Sequence, residues 1–169
     1  MTVLPQNVIL PDILLELYSV SESGDFFGQV LSVLDARIPS SISGYWFVHA
    51  DANRLEGKSV HSHVGSTLPN LDELTKLLQS HPCLDLYHFN RVGPVWHTTD
   101  SMSEKEWKRL PVYNEVYRPL GMDHDTHVRF YSGELCVVFA FTDTRKMAAP
   151  HRQLLNSVAP HLSAAYSAF

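Results

Sequence analysis

The run Leu135-Cys136-Val137-Val138-Phe139-Ala140-Phe141 is apolar at every position. An extended segment turns alternate side chains to opposite faces, so this one has two faces to bury and must be a strand covered on both sides. The chain around it has to supply the covering layers. Thr126 to Tyr131 reads as the preceding strand, joined to it by a Ser132-Gly133 turn. Earlier, Ile42-Ser43-Gly44-Tyr45-Trp46-Phe47-Val48-His49 is rich in aromatic and β-branched residues and runs into Asp51-Ala52-Asn53, the pattern of a strand entering a turn. Gly57 to Val64 is expected to be its hairpin partner, and a further strand is expected between Val92 and Thr98.

Helical patterns flank and interrupt these strands. A first helix is expected from Pro11 and Asp12, with Ile13, Leu14, Leu17, Tyr18 and Val20 on its apolar face. A second, from about Gly24 to Arg37, would bury Phe26, Phe27, Val30, Leu31 and Leu34. Asn70 and Glu73 have capping-box spacing ahead of Leu71, Leu74, Leu77 and Leu78, and His81-Pro82 closes that helix. Ser103 and Glu106 repeat the capping signal before Trp107 and Leu110. Pro111 should kink the chain into a second short helix through Tyr113 and Tyr117, stopped by Pro119 and Gly121. A long helix over about 150–166 carries Leu154, Leu155, Val158, Leu162 and Ala165 on one side. The sum is one α+β domain over 1–169: an antiparallel sheet flanked by N- and C-terminal helices, with a helical excursion over one face.

A formal charge of −5, from 13 Lys and Arg against 18 Asp and Glu, and the lack of any basic cluster argue against direct nucleic-acid binding, which needs dense positive charge facing phosphate. The two cysteines, Cys83 and Cys136, have no CxxC spacing, and such a pair suits a reducing cytoplasm. With neither a signal-peptide pattern nor a membrane-length apolar run, the protein is expected to be cytoplasmic and away from membranes. Ten histidines stand out, and the plain reading is composition; they would soften the negative charge below about pH 6.5.

The segment Trp107-Lys108-Arg109-Leu110-Pro111-Val112-Tyr113-Asn114-Glu115-Val116-Tyr117-Arg118-Pro119-Leu120-Gly121-Met122-Asp123-His124 resembles a pattern in the N-terminal regions of certain LuxR-type transcription regulators: an aromatic ahead of LP-x-YNE-x-YRPLG, with a His soon after the glycine. The stretch from Arg152 to Tyr166 is similar to the LLN-x-x-x-PHL-x-x-AY helix leading into their DNA-binding domain. Together these anchor positions 96–166, while the first half matches only in its order of elements. The resemblance implies a GAF-like or PAS-like sensor fold and names no ligand. It also calls for a helix-turn-helix beyond Tyr166, whereas the sequence ends at Phe169, as an excised domain or a stand-alone relative would. Asp125 departs from the pattern, which more often has an uncharged polar residue there.

A ligand site is expected between the sheet and the excursion. Alternation sends His127, Arg129 and Tyr131 to one face and Thr126, Val128 and Phe130 to the other. Tyr45, Phe47 and His49 share a face of the first strand, and Trp96, Trp107, Tyr113 and Tyr117 could roof the polar side, an aromatic enclosure of the kind that holds small molecules. Each aromatic taken singly is more often core. Arg129, if inward, needs an anionic ligand or a carboxylate such as Asp123, Asp125 or Glu115. Asp123, Asp125 and His127 on one strand face, or His61 and His63, could ligate metal, but these short clusters lack a spacing rule, and no metal site is assigned. No cofactor is identified; haem has no CxxCH to support it. The leading expectation is therefore a small-molecule-sensing regulatory domain, a homodimer through the terminal-helix stripe Leu155, Val158, Leu162 and Tyr166. Alternatives are a stand-alone interaction module for a related regulator, or a small enzyme using His124, His127 and Arg129. No residue is assigned as catalytic, because GxSxG, phosphate-loop and HExxH patterns are missing.

Overall fold

The structure is a computed structural model describing residues 6–20, 25–49, 54–63, 68–88 and 93–168. The chain runs α1 (Gln6–Tyr18), α2 (Phe26–Asp35), β1 (Ile42–His49), β2 (Arg54–Ser62), α3 (Leu71–Leu78), α4 (Cys83–His88), β3 (Val95–His97), α5 (Glu104–Trp107), a π-helical turn (Tyr113–Tyr117), β4 (His124–Ser132), β5 (Leu135–Asp143) and α6 (Ala149–Ala168). The five strands form one antiparallel sheet in the order β2-β1-β5-β4-β3. The apolar run sits at its centre, as its two buried faces require.

One face of the sheet carries α1, α2 and α6. Val137, Phe139 and Phe141 of β5 join Tyr45, Val128, Phe130, Leu31, Leu34, Leu155 and Leu162 in that core. Cys136, Val138 and Ala140 face the other way, into a second core with Trp46, Trp96, Trp107, Tyr113 and Tyr117. Thus α3 and the excursion form the third layer. Burying both faces leaves β5 no solvent side from Cys136 to Phe141, which accounts for the lack of polar residues there.

Local chemistry sets the helix ends. Asn70 accepts a hydrogen bond from the Glu73 amide at 2.9 Å. Ser103 and Glu106 complete the reciprocal capping box, with the Ser103 amide donating to Glu106 Oε2 at 2.8 Å. Gly121 ends the excursion at φ 71° and Gly133 turns the β4–β5 hairpin at φ 61°, the left-handed region that glycine enters cheaply. Two boundaries differ from the sequence expectation. Helix α1 starts at Gln6 and contains Pro11 at its sixth position, where the proline removes one N–H from the helical ladder and its ring crowds the preceding turn. Strand β2 spans 54–62 rather than 57–64, because its pairing with β1 continues to Arg54 opposite His49. The Asp51-Ala52-Asn53 turn and Val64 lie outside the described residues.

Helix α6 is longer than expected at both ends, and its apolar side is spent within the chain. Leu155, Val158 and Leu162 are completely buried in the helix-side core, against which Tyr166 also packs. A dimer built on that stripe would have to unpack the domain's own core, so the stripe is a sheet cover rather than an open coiled-coil seam.

Candidate functional site

Helix α3 is held tightly on the edge strand. The Gln79 side chain grips Leu55 by accepting from its amide at 3.1 Å and donating to its carbonyl at 2.9 Å. A Cβ at Gly57 would come within 2.3 Å of Thr75 Oγ1 and 2.9 Å of Leu71 Cδ1, so a side chain there would have to displace both from this close approach of helix to strand. Between α3, the π-helical turn and the sheet lies an apolar cavity of about 60 Å³. Trp46, Val48, Leu74, Leu78, Val138 and Ala140 line its body, and Tyr117, His81, Cys83, Asp125 and His127 line its polar end.

That polar end is a buried network centred on Asp125. The Tyr117 hydroxyl donates to Asp125 Oδ2 at 2.6 Å and the Thr142 hydroxyl to Oδ1 at 3.0 Å. His127 Nε2 lies 2.5 Å from Oδ2, and His81 Nε2 lies 3.5 Å from it. Asp125 is 1% exposed. Burial alone would raise its pKa, but the imidazoles of His127 and His81 outweigh burial and hold the carboxyl well below the usual range. Burial, helped by the nearby His127, pushes the His81 pKa down. His81 Nδ1 accepts from the Cys83 amide at 3.2 Å and lies 2.7 Å from Cys83 Sγ.

Aromatic rings buttress this network. Trp96 packs on His127 at 5.2 Å and on His81 at 5.9 Å between ring centroids. Trp107 packs on Tyr117 at 4.9 Å and on His81 at 5.5 Å. Their indoles are satisfied elsewhere: Trp107 donates to the Asp123 carbonyl at 2.9 Å and Trp96 to Ser101 Oγ at 3.3 Å. Trp46 differs. Its Nε1 is buried on the cavity wall and has no hydrogen-bond partner among the described residues, whereas His81 Nε2 faces the Asp125 carboxylate at 3.5 Å. Buried polar atoms normally find partners, so the Trp46 indole N–H gives the cavity a donor that its walls leave unused.

The nine residues expected to bind a ligand therefore separate. Tyr117 and His127 are on the cavity wall. Trp96, Trp107 and Tyr113 stand behind it in the same core; the Tyr113 hydroxyl donates to Asp123 Oδ1 at 2.6 Å. Arg129 shares the His127 face but lies off the wall, its Nε donating to the Gly93 carbonyl at 3.2 Å and its guanidinium meeting the Tyr131 hydroxyl. Neither contact is one of the carboxylate partnerships anticipated for it. Tyr45 and Phe47 pack in the opposite, helix-side core. The Tyr45 hydroxyl donates to Asp25 at 3.1 Å, and burial together with that carboxylate pushes its pKa up to about 12. His49 pairs with Glu56 at 3.1 Å. The pairing register explains the separation: Trp46 stands opposite Val138 and His127 opposite Ala140, so Trp46 and Val48, not their neighbours, share the His127 face.

The enzyme constellation is also divided. His124 turns to the helix side, stacks on His97 at 5.5 Å, and lines a separate, half-open cleft of about 260 Å³ with Arg145, Lys146 and His151. It cannot act jointly with His127 across the sheet. The Asp123–Asp125–His127 grouping fails as well, since Asp123 is engaged outside by Tyr113 and by Lys108 Nζ at 3.1 Å. His61 and His63 converge on Asp35, at 3.2 and 3.5 Å. Sequence reasoning passed over Trp46, His81 and Cys83. Only the His-x-Cys spacing hinted at the last two, and it carries little weight alone.

Neither a protein-family model nor a curated protein sequence matches this chain. Solved structures do. The VqsR LBD domain from Pseudomonas aeruginosa superposes with a TM-score of 0.68 at 14% identity, covering 96% of this chain and 94% of that one. A phycocyanobilin-bound GAF domain from a cyanobacterial phytochrome gives 0.61 at 11% identity, over 98% and 96%. A phycoerythrobilin-bound GAF domain, also from a cyanobacterial phytochrome, gives 0.59 at 11%, over 99% and 96%. The fold is GAF-like. Among the described residues no helix is long and apolar enough to cross a membrane.

Proposed function

We propose that this domain is a small-molecule-sensing regulatory domain whose ligand lies between the sheet and α3 with the π-helical turn. The observation that carries the reading is the buried Trp46 Nε1, which has no hydrogen-bond partner among the described residues, on the wall of an apolar cavity. A ligand fitting that chemistry is mostly apolar and carries an acceptor for the indole N–H. Polar placement of this sort fixes orientation, while apolar walls supply affinity. Similarity in fold to an LBD domain and to two bilin-bound GAF domains supports the class without naming the compound, because function resides in the site and not in the fold.

The segments 107–124 and 152–166 support placement within a LuxR-type transcription regulator acting in the cytoplasm, with this domain as its sensory part. Transmission would run through β4. Asp125 and His127 face the cavity from that strand, and α6 lies on its other side, where Ser163 Oγ donates to the Tyr131 carbonyl at 3.3 Å. A ligand that bound two positions of β4 unequally would shift α6, and only such a difference in affinity can drive the change.

Native mass spectrometry of freshly purified protein, set against its denatured mass, tests the reading. A specific organic adduct that disappears on denaturation and is depleted in Ala140→Val supports it. A bare mass, together with unchanged tryptophan emission on titration with apolar carbonyl compounds, removes it.

A further inference from the structure

The polar end of the cavity brings three metal-ligating side chains together. His81, Cys83 and His127 are all buried, and each offers an imidazole nitrogen or a sulfur such that the three atoms lie within 4.8 Å of one another. We propose that His81, Cys83 and His127 form a binding site for a divalent transition metal of the zinc class, with one coordination position open to the apolar cavity.

Two imidazoles and a thiolate are a borderline-soft donor set, suited to zinc and to cobalt as its spectroscopic substitute rather than to magnesium or calcium. The carboxylate that ligating histidines usually need is in place: Asp125 Oδ2 is 2.5 Å from His127 Nε2 and 3.5 Å from His81 Nε2. Such a group fixes ring orientation and raises ligand basicity. With His81 Nε2 turned to Asp125, Nδ1 is the nitrogen left for the metal, and coordination would replace the bond it accepts from the Cys83 amide at 3.2 Å. Trp96 and Trp107 pack against the imidazoles and exclude water from the rear of the site.

Binding requires a local adjustment. In a tetrahedral site with bonds of about 2.0 Å to nitrogen and about 2.3 Å to sulfur, N and S ligands stand roughly 3.5 Å apart. The His81 Nδ1 to Cys83 Sγ distance is 2.7 Å, so the thiol must swing away from the ring as the metal enters. Cys83 also has to lose its proton, which makes affinity rise with pH. This proposal stands apart from the sensory reading, since the three ligands could hold metal whether or not the cavity takes an organic molecule.

Cobalt(II) added to chelator-treated protein tests it. The expected result is one equivalent bound per chain, with a sulfur-to-cobalt charge-transfer band in the near ultraviolet and visible bands of tetrahedral intensity. Cys83→Ser removes the charge-transfer band and Cys136→Ser keeps it. Asp125→Asn weakens binding about 10–100-fold, the usual cost of losing such a carboxylate. Absence of the band in the wild-type protein overturns the proposal without recourse to any variant. So does a band that survives in Cys83→Ser, or binding without thiolate character, which would place the cobalt on surface histidines such as His61 and His63.

Discussion

Asp125 and His127, two residues apart on β4, point to the same face and bring Oδ2 within 2.5 Å of Nε2 in a setting where both side chains are almost wholly buried. Strand geometry makes i and i+2 neighbours on a face, and burial raises the energy at stake. Removing one member of such a pair leaves the other charged or polar group stranded. Asp125→Asn is expected to lower unfolding stability by on the order of 3 kcal/mol, read from urea denaturation at neutral pH. A loss below about 1 kcal/mol, the size of an ordinary single hydrogen bond, would mean that the network is not a central support of the fold.

The cavity reading and the core reading of the aromatics part at Ala140 and Tyr45. Ala140 is on the cavity wall, so Ala140→Val should fill space that a ligand uses. Ligand affinity is expected to fall more than tenfold while stability stays within about 1 kcal/mol, since the added methyls enter a void rather than a packed region. Tyr45 lies across the sheet with its hydroxyl on Asp25. Tyr45→Phe should cost about 1 kcal/mol of stability and leave ligand affinity untouched. Fluorescence titration and thermal unfolding of both variants provide the check; a reversed pattern puts the ligand on the helix side.

Much of the fold was legible because it rests on periodicity and caps. β5 announces two buried faces, β1 is bounded as its residues suggest, and Asn70 and Ser103 cap α3 and α5 in fact. The parity of β1 was not legible. Both of its faces are aromatic or aliphatic, and which one meets the His127 face depends on its register with β5. A shift of one residue reverses every side chain. Tyr45 and Phe47 therefore landed in the helix-side core. His81 and Cys83 reach His127 from a loop and a helix start more than forty residues away in sequence, a juxtaposition that only the tertiary path of α3 creates.

Arg129 separates a structural cation from an anion anchor. Its guanidinium contacts the Gly93 carbonyl and Tyr131, and it lies beside Cys136, whose thiol is pushed up to about 11 by burial despite that cation. Arg129→Lys keeps the charge and loses the planar fork. Stability is expected to drop by about 1 kcal/mol, the worth of one hydrogen bond, with ligand affinity changed less than twofold. A tenfold loss of affinity in a folded Arg129→Lys protein would restore the residue to the binding site.

His97 gives the acid limb of stability a specific source. It is 1% exposed, and Nδ1 accepts from the Thr99 amide at 3.2 Å, which leaves the ring proton on Nε2 without a partner among the described residues. The groups that face it are Lys146, His124, Asp100 and Asp125, and burial, reinforced by Lys146 and His124, lowers its pKa from 6.5 to about 4. Between those two values the unfolded chain binds a proton that the folded chain refuses. Stability is therefore unpenalised above about pH 6.5 and is lost as pH falls toward about 4, by at most roughly 3 kcal/mol at about 1.4 kcal/mol per pKa unit. His97→Asn keeps an acceptor for the Thr99 amide, because asparagine caps well, and removes the titration. Its stability-versus-pH curve should be flatter than that of the wild type between pH 6.5 and 4 and parallel to it above. Curves that stay parallel throughout would assign the acid sensitivity to other groups, with the buried His81 first among them.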